Sequence, residues 1–299
     1  MAETADIVII GAGIVGCSIA YHLALQGAPR VVVVEKDLIC SGSTGKSAGG
    51  IRQQFATEIN LLLSIESLRM FHRMREELGV DPEFRQVGYL FMATTPAELE
   101  LFRGQAEVQQ RYGIPVQILS PDDMRRLVPY VRLNDIIGGA YCPTDGYAAP
   151  YEVTMGYAVA ARRLGVTIHE RRPVTRILRE RDRVAGIETP QGPIHAPIVV
   201  NAAGAEGGVV GTMAGVEVPV KPYRRQLFVT RPLLEFSAEP PLTIDYHRNW
   251  YFRGEMGVCL FSGPKDEEST FNTNVDWEHV AESVAKSVAS VPLLEKADI

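Results

Sequence analysis

The feature that most restricts how this 299-residue chain can fold is a glycine-containing segment near its N-terminus. The segment DIVIIGAGIVGCSIAYHLAL, residues 6–25, is nearly free of charge and approaches the length of about 20 residues that a membrane helix needs. Its glycines argue against a membrane helix, because they separate a short β-branched run from a stretch with helical spacing of apolar residues. We therefore predict a buried strand, a glycine turn and a helix.

Three glycines in this turn, Gly11, Gly13 and Gly16, have the spacing G-x-G-x-x-G. In dinucleotide-binding proteins the first glycine permits a tight turn, the second lets the backbone approach a pyrophosphate, and the third lets the helix pack on the strand. A second predicted strand, RVVVVEKD, ends at Glu35, whose carboxylate can accept hydrogen bonds from a ribose diol and would repel a 2′-phosphate. NADP is therefore disfavoured, and NAD and FAD both stay open.

The segment after Glu35 bears on this choice. It contains SGSTGKSAGG, residues 41–50, which we call the Ser-Gly loop, in place of a prompt crossover helix. Such a loop offers backbone N–H groups and hydroxyls without bulk, which suits a second pass along an extended phosphate–ribityl chain. A flexible surface loop has a similar composition. The loop favours FAD, and an NAD-dependent dehydrogenase is the alternative.

Composition narrows the class of protein. With 46% hydrophobic and 22% charged residues, the chain can form a large core and two domains. Its formal charge of −6 gives no basic field for nucleic acid, and its four cysteines lie far apart without metal-ligand spacing. The opening MAETAD lacks the basic start of a secretory signal, so we expect a cytoplasmic protein without a metal site or a membrane span.

Patterns further along the chain predict the remaining elements. The segment TEINLLLSIESLRMFHRMREELG predicts a helix from a cap at Thr57 to Gly79. The apolar residues on or near its packing stripe are Ile59, Leu62, Leu68, Phe71 and Leu78. Short alternating segments over residues 166–204 predict an antiparallel meander that returns to the parallel sheet. Asp145, in an Asp-Gly pair, is interpreted as a turn former.

Four segments together resemble a known family: IVIIGAGIVG, GSTGKSAGGIRQQF, DGYAAPYEVTMGYAVAARRLGVTI and IVVNAAGA. Over residues 6 to about 260 the chain resembles the D-amino-acid oxidase superfamily of FAD-dependent amine oxidoreductases, in the branch of glycine oxidase and the sarcosine oxidase β subunit. The resemblance implies an α/β fold, with an FAD-binding Rossmann-like domain of the glutathione-reductase type that carries a β-meander insertion. A discontinuous α+β substrate domain would complete it.

The resemblance also implies domain limits. We expect an FAD-binding domain from residues 1–85 and 140–215, and a substrate domain from residues 86–139 and 216–299. Family members continue further, through a T-P-D stretch and a G-H-x-F turn that do not occur before Ile299. We therefore expect this chain to be a fragment, a truncated product or one half of a split enzyme.

The cofactor contacts follow from the same resemblance. Relatives that attach flavin through a histidine in this loop carry it where Lys46 stands, so we expect non-covalent FAD. Glu35 and Lys36 would contact the adenosine ribose, and the backbone of Val174 the adenine. The expected FAD-binding residues are Gly11, Gly13, Ile14, Val15, Gly16, Glu35, Lys36, Ser43, Thr44, Ser47, Ala48, Gly49, Gly50, Val174, Ala202, Ala203 and Gly204.

The activity implied by the resemblance is oxidation of the C–N bond of a small amino acid or secondary amine, such as sarcosine, glycine or proline, by hydride transfer to flavin. The protein then needs a cation for the substrate carboxylate, and the planar fork of arginine suits that contact. Arg52, which follows the Ser-Gly loop, is the first candidate. Tyr251 and Arg253 alternate in WYFRGE and would share one strand face above the pocket.

The expected partners are a small amine or amino-acid substrate and an electron acceptor or partner subunit. Nucleic acid is not expected. A second alternative to the enzyme is a non-catalytic flavoprotein that acts as a scaffold or assembly factor.

Overall fold

A computed structural model describes residues 3–233, 239–255, 257–263 and 269–298. Its strands are β1 (Glu3–Thr4), β2 (Ile7–Ile10), β3 (Val31–Val34), β4 (Gly50–Ile51), β5 (Tyr89–Ala93), β6 (Gln117–Leu119), β7 (Gly138–Cys142), β8 (Gly146–Tyr147), β9 (Thr167–His169), β10 (Arg176–Glu180), β11 (Arg183–Glu188), β12 (Ile194–His195), β13 (Ile198–Asn201), β14 (Phe228–Val229), β15 (Leu242–Asp245), β16 (Trp250–Glu255) and β17 (Val258–Ser262). Its α-helices are α1 (Ile14–Leu25), α2 (Glu58–Leu78), α3 (Pro96–Arg111), α4 (Pro121–Leu127), α5 (Pro150–Arg163), α6 (Gly207–Met213) and α7 (Trp277–Ser290). Two short 3-10 helices cover Gly204–Glu206 and Pro292–Lys296.

A parallel sheet forms the first layer, with its strands in the order β13-β2-β3-β9. All four valines of β3 are buried, as expected for a strand covered on both faces. Helices α1 and α5 pack on one face, and the core of the meander packs on the other. The predicted strand, glycine turn and helix of residues 6–25 are therefore confirmed.

The meander that was predicted over residues 166–204 is present from β10 to β12, whereas β9, at the start of that range, pairs in parallel with β3. Strands β10, β11 and β12 pair in an antiparallel manner, and β1 adds to the edge of β12 in parallel. The chain then enters β13, which pairs in parallel with β2, so that Asn201 lies opposite Ile10. This return brings the segment after β13 beside the glycine turn that follows β2.

A second sheet of seven strands, in the order β14-β17-β16-β15-β5-β7-β6, forms the other layer. It is antiparallel except where β15 pairs with β5. Trp250 is fully buried on one face, where its indole Nε1 donates to Ser287 Oγ of α7 at 2.7 Å. Helices α4 and α7 thus cover this face, and β16 is held in a rigid core.

Helix α2 ends at Gly79, whose left-handed φ of 73° matches the predicted end. Its buried residues include Leu61 and Leu68, seven positions apart on one stripe. Leu68 and Leu78 of the predicted stripe are buried as expected. The predicted packing of Ile59 and Leu62 is wrong, because they point away from this stripe and are 62% and 47% exposed, respectively.

A short two-stranded pairing joins the two layers. Strand β4, at the end of the Ser-Gly loop, pairs with β8 in an antiparallel manner, with Gly50 opposite Tyr147. The end of the loop is thereby fixed beside the turn that contains Asp145. Within the described ranges, no helix combines the length and apolar character that crossing a bilayer requires.

Candidate functional site

The glycine turn between β2 and α1 has room for backbone only. Gly11 has a φ of 104°, and a Cβ there would lie 2.5 Å from the carbonyl oxygen of Ala202. A Cβ on Gly16 would lie 1.9 Å from the carbonyl oxygen of Gly11. Gly13 caps α1 without a side-chain hydrogen bond. The cap at Gly13 thus has no side chain between the helix N-terminus and an approaching anion, which suits the pyrophosphate of a dinucleotide.

The Ser-Gly loop folds back over this helix N-terminus. Thr44 Oγ1 accepts a hydrogen bond from the backbone N–H of Ile14 at 3.2 Å. Ser47 Oγ donates to the carbonyl of Thr44 at 2.8 Å and accepts from the N–H of Gly49 at 3.3 Å. Gly49 has a φ of 65°, and a Cβ there would lie 2.2 Å from the carbonyl oxygen of Ala148. The loop is thus an ordered second wall of the site, with Ser43 exposed on it.

The carboxylate of Glu35 is tied to the glycine turn. Its Oε2 accepts from the N–H of Ala12 at 2.8 Å, and its Oε1 accepts from the N–H of Asp37 at 3.0 Å. Each oxygen has further acceptor capacity for a ribose hydroxyl. Lys36 forms an ion pair with Glu206, a residue that the sequence analysis did not assign.

The segment after β13 completes this end of the site. The N–H of Ala202 donates to the carbonyl of Ile10 at 2.9 Å, and the N–H of Ala203 donates to Asn201 Oδ1 at 3.3 Å. Gly204 has a φ of 56°. Val15 is 58% exposed in the first turn of α1. Val174 packs against the core of the meander.

A cavity of about 690 Å³, which we call the larger cavity, extends from the Ser-Gly loop to the second sheet. Its volume is in the range of small-molecule and cofactor sites. The loop side is lined by Thr44, Ser47, Ala48, Gly49, Gly50 and Arg52. The opposite side includes Tyr89, Leu242, Ile244 and Tyr251. Arg52 and Tyr251 are 199 positions apart in the chain, and both were predicted site residues. The structure places both in the lining of this one cavity.

Arg52 is half-buried where the larger cavity meets a smaller one of about 330 Å³. Its guanidinium carbon lies 4.4 Å from the ring centroid of Phe55 and 5.5 Å from that of Phe91. No carboxylate of the described residues forms an ion pair with it. The cation is therefore held by aromatic rings and keeps its N–H donors for an incoming anion.

Tyr251 and Arg253 alternate on β16 as predicted, but their surroundings differ. Tyr251 lines the larger cavity, and burial raises the pKa of its phenol. Arg253 is only 6% exposed, and its Nη1 donates to the carbonyl of Ala48 at 2.7 Å. It also forms an ion pair with Glu255, and its guanidinium carbon lies 4.0 Å from the ring centroid of Tyr147. Arg253 supports the Ser-Gly loop and is not one of the lining residues of the larger cavity.

Asp145 is more than the turn former that its sequence predicted. The residue is fully buried, and its Oδ1 and Oδ2 accept from the backbone N–H of Gln53 at 2.9 Å and from Gln54 Nε2 at 3.3 Å. Burial raises the pKa of its carboxyl to about 6. The Asp-Gly pair alone could not reveal these contacts, because the partners are about 90 residues away in the chain.

Comparison with known proteins decides the family. Residues 6–299 match the sequence model of the DAO family, described as FAD dependent oxidoreductase. The chain belongs to this family. The oxidoreductase family accounts for the glycine turn, the Ser-Gly loop and the segment after β13, all of which fit FAD. The predicted family, fold class and FAD cofactor are thereby confirmed.

Individual relatives within the oxidoreductase family are longer than this chain. Dimethylglycine dehydrogenase of Rattus norvegicus is 34% identical over 319 residues, which cover 99% of this chain and 37% of the relative. The pyruvate dehydrogenase phosphatase regulatory subunit of Mus musculus is 26% identical and covers 99% of this chain and 35% of the relative. The chain thus spans little more than a third of the length of these two relatives.

A solved structure extends the match to three dimensions. L-proline dehydrogenase from P. horikoshii superposes with a TM-score of 0.93 at 32% sequence identity, covering 99% of this chain and 79% of that one. The two-layer arrangement described above is therefore also that of this solved structure.

Proposed function

We propose that this chain is the FAD-binding and substrate-orienting part of an enzyme that oxidises the C–N bond of a small amino acid or secondary amine. The observation that carries the proposal is Arg52, whose cation faces a cavity that begins at the Ser-Gly loop. Dimethylglycine and L-proline, after which two of the relatives are named, both carry a carboxylate beside their amine. Arginine is the side chain whose geometry matches such a carboxylate.

The residues of the chain have distinct parts in this proposal. The glycine turn, the N-terminus of α1 and the Ser-Gly loop hold FAD, with Glu35 at the ribose. Bound FAD supplies the acceptor for a hydride, which no side chain can supply. Arg52 binds the substrate carboxylate and so fixes the amine-bearing carbon in the larger cavity.

Tyr251 limits the possibilities for proton transfer. Because burial raises the pKa of its phenol, the hydroxyl stays protonated at neutral pH. It can orient a substrate amine through a hydrogen bond, and it is not a base.

The direct test of this proposal is turnover of the FAD-loaded protein with N-methyl amino acids and proline, compared with the same amines lacking the carboxylate. Arg52→Ala is expected to lower kcat/KM for the carboxylate substrates by about 30-fold or more, since loss of one partner of a buried charge pair costs at least about 2 kcal/mol. The kcat/KM of Arg52→Lys should lie between that of the wild-type protein and that of Arg52→Ala, because lysine keeps the charge without the planar fork. Arg69→Ala, on the exposed side of α2, is the matched control.

A non-catalytic role is the second candidate, and the similarity to a phosphatase regulatory subunit favours it. The same experiment separates the two. A yellow protein whose flavin is not reduced by any amine of the panel would support the regulatory role. The earlier NAD-dependent alternative is set aside by the family to which the chain belongs.

We also propose the division into an FAD-binding domain (residues 1–85 and 140–215) and a substrate domain (residues 86–139 and 216–299). The separate cores of the parallel sheet and of the seven-stranded sheet support this division. The limit at residue 140 falls within β7, which pairs with β5 and β6, so a limit after β7 fits the sheet better. We also propose that the protein passes its electrons to an acceptor or a partner subunit. Purifying the protein from its natural source and identifying the proteins that co-purify with it would test this.

A further inference from the structure

A fully buried carboxylate lies next to the larger cavity without lining it. Asp145 occupies the turn between β7 and β8 and has no exposed surface. A buried carboxylate is costly unless hydrogen bonds satisfy its oxygens. Within the described residues, no arginine, lysine or histidine forms a contact ion pair with Asp145, although the nearby Arg52 cation lowers the pKa of its carboxyl against the larger effect of burial. Its hydrogen-bond partners therefore indicate why the residue is there.

Two of those partners directly follow Arg52 in the chain, and a third is the Cys142 thiol at the end of β7. Asp145 Oδ1 accepts from the backbone N–H of Gln53 at 2.9 Å, and Oδ2 accepts from Gln54 Nε2 at 3.3 Å. The side chain of Gln53 is held from the same turn, since its Oε1 accepts from Thr144 Oγ1 at 2.8 Å. The backbone N–H and the side-chain amide of Gln53 are thus both anchored to the turn between β7 and β8.

The backbone before Arg52 is fixed by the neighbouring residues of that turn. Ile51 of β4 lies opposite Gly146 of β8, directly after Asp145. Arg52 is therefore held between a strand pairing on one side and the carboxylate of Asp145 on the other. Among the described residues its guanidinium contacts two aromatic rings and interacts electrostatically with the Asp145 carboxylate and the Tyr89 phenol, with no contact ion pair. Its location therefore depends on where this backbone lies.

We propose that Asp145 is a positioning residue that acts through Arg52. Its carboxylate fixes the Gln53 amide and so places the guanidinium where it can meet a substrate carboxylate. This inference rests on the proposed function, because it assigns Arg52 the task of binding that group. The feature that matters is the acceptor at Oδ1, so an asparagine at this position keeps most of the effect while an alanine removes it.

Steady-state kinetics of the FAD-loaded protein test the inference. Asp145→Ala is expected to raise KM for a carboxylate-bearing amine on the order of 10-fold with little change in kcat, because a misplaced clamp weakens binding. For an amine without the carboxylate, kcat/KM should stay unchanged. Asp145→Asn should restore most of the loss, since its Oδ1 still accepts from Gln53. Ser283→Ala, a buried serine of α7 distant from the turn of Asp145 in the fold, is the matched control.

A double variant shows whether the effect passes through Arg52. In the Arg52→Ala background, Asp145→Ala should cause no further rise in KM, because coupled residues are not additive. Additive losses would overturn the inference. Equal losses for substrates with and without the carboxylate would also overturn it, as would wild-type kinetics in Asp145→Ala.

Hydrogen exchange gives a readout that does not need turnover. The Gln53 amide should exchange at least about 10-fold faster in Asp145→Ala than in the wild-type protein, and Asp145→Asn should retain its protection. Should Asp145→Ala fail to fold, Asp145→Asn and Thr144→Val serve instead, with the larger exchange effect expected in Thr144→Val. Unchanged exchange overturns the anchoring. A wild-type protein without turnover would instead contradict the proposed function and leave the exchange result intact.

Discussion

The glycine turn and the surroundings of Arg52 form two parts of one site, but they are built differently. In the glycine turn the decisive property is the absence of side chains, since a Cβ on Gly11 or Gly16 would meet backbone oxygens. Around Arg52 the decisive groups are side chains that arrive from other parts of the chain, such as Asp145 and Phe91. The glycine turn fits the pyrophosphate of FAD, which is the same whatever the substrate. The side chains around Arg52 can differ between proteins that act on different substrates.

The largest effect on stability and FAD binding is expected in the glycine turn, where two stretches of backbone are in direct contact. A side chain at Gly16 cannot be accommodated by rotation, because its Cβ would lie 1.9 Å from the Gly11 carbonyl oxygen. Gly16→Val should cost about 3 kcal/mol or more of stability and weaken FAD binding on the order of 100-fold. Titration of the apoprotein with FAD and a thermal melt measure both. Gly104→Val, in α3 where an added Cβ meets open space, is the control, and equal losses in both variants would contradict this account.

The next effect concerns the pH dependence of stability at Asp145. Burial raises its pKa from 3.8 to about 6, so the folded protein binds this proton more tightly than the unfolded chain. Stability from this group is therefore fully present below about pH 4 and is lost as the pH rises through 6, by about 3 kcal/mol.

Asp145→Asn does not titrate and should gain stability relative to the wild-type protein between pH 4 and pH 7. Urea unfolding of both proteins at several pH values gives the difference. A constant difference across this range would show that the carboxyl group titrates normally.

A smaller effect separates support of the Ser-Gly loop from substrate binding. Arg253→Ala removes the charged group that donates a hydrogen bond to the Ala48 carbonyl in the Ser-Gly loop. The loop then loses this support, and FAD affinity should fall about 10-fold. Arg253→Lys should lose less. The KM ratio between amines with and without a carboxylate should not change. A change in that ratio with normal FAD affinity would instead restore the substrate-binding role that the sequence suggested.

The smallest effect is expected at the exposed pair of Lys36 and Glu206. Their side chains are 55% and 37% exposed, so solvent screens the interaction. Glu206→Gln should change FAD affinity by about threefold or less. A larger change, measured by the same titration, would mean that Lys36 has a role at the cofactor that depends on this pair.

The same contrast explains how far the sequence could predict the molecule. The glycine turn, β3 and the meander follow from local patterns, since glycine spacing and buried β-branched runs act over a few residues. The shared cavity of Arg52 and Tyr251 could be expected only from the family resemblance. The contacts of Asp145 and Arg253 could not be predicted, because each depends on a partner more than 90 residues away. The prediction that Ile59 packs against the core was wrong, because apolar residues lie on several faces of α2 and their spacing does not show which face is buried.

The most direct test of the central claim is anaerobic mixing of the FAD-loaded protein with proline or an N-methyl amino acid, followed by flavin absorbance. The account predicts that the flavin band bleaches in the wild-type protein, that Arg52→Ala bleaches far more slowly, and that amines without a carboxylate distinguish little between the two. Bleaching that is equally fast in Arg52→Ala, or a folded protein that takes up no FAD, would contradict it.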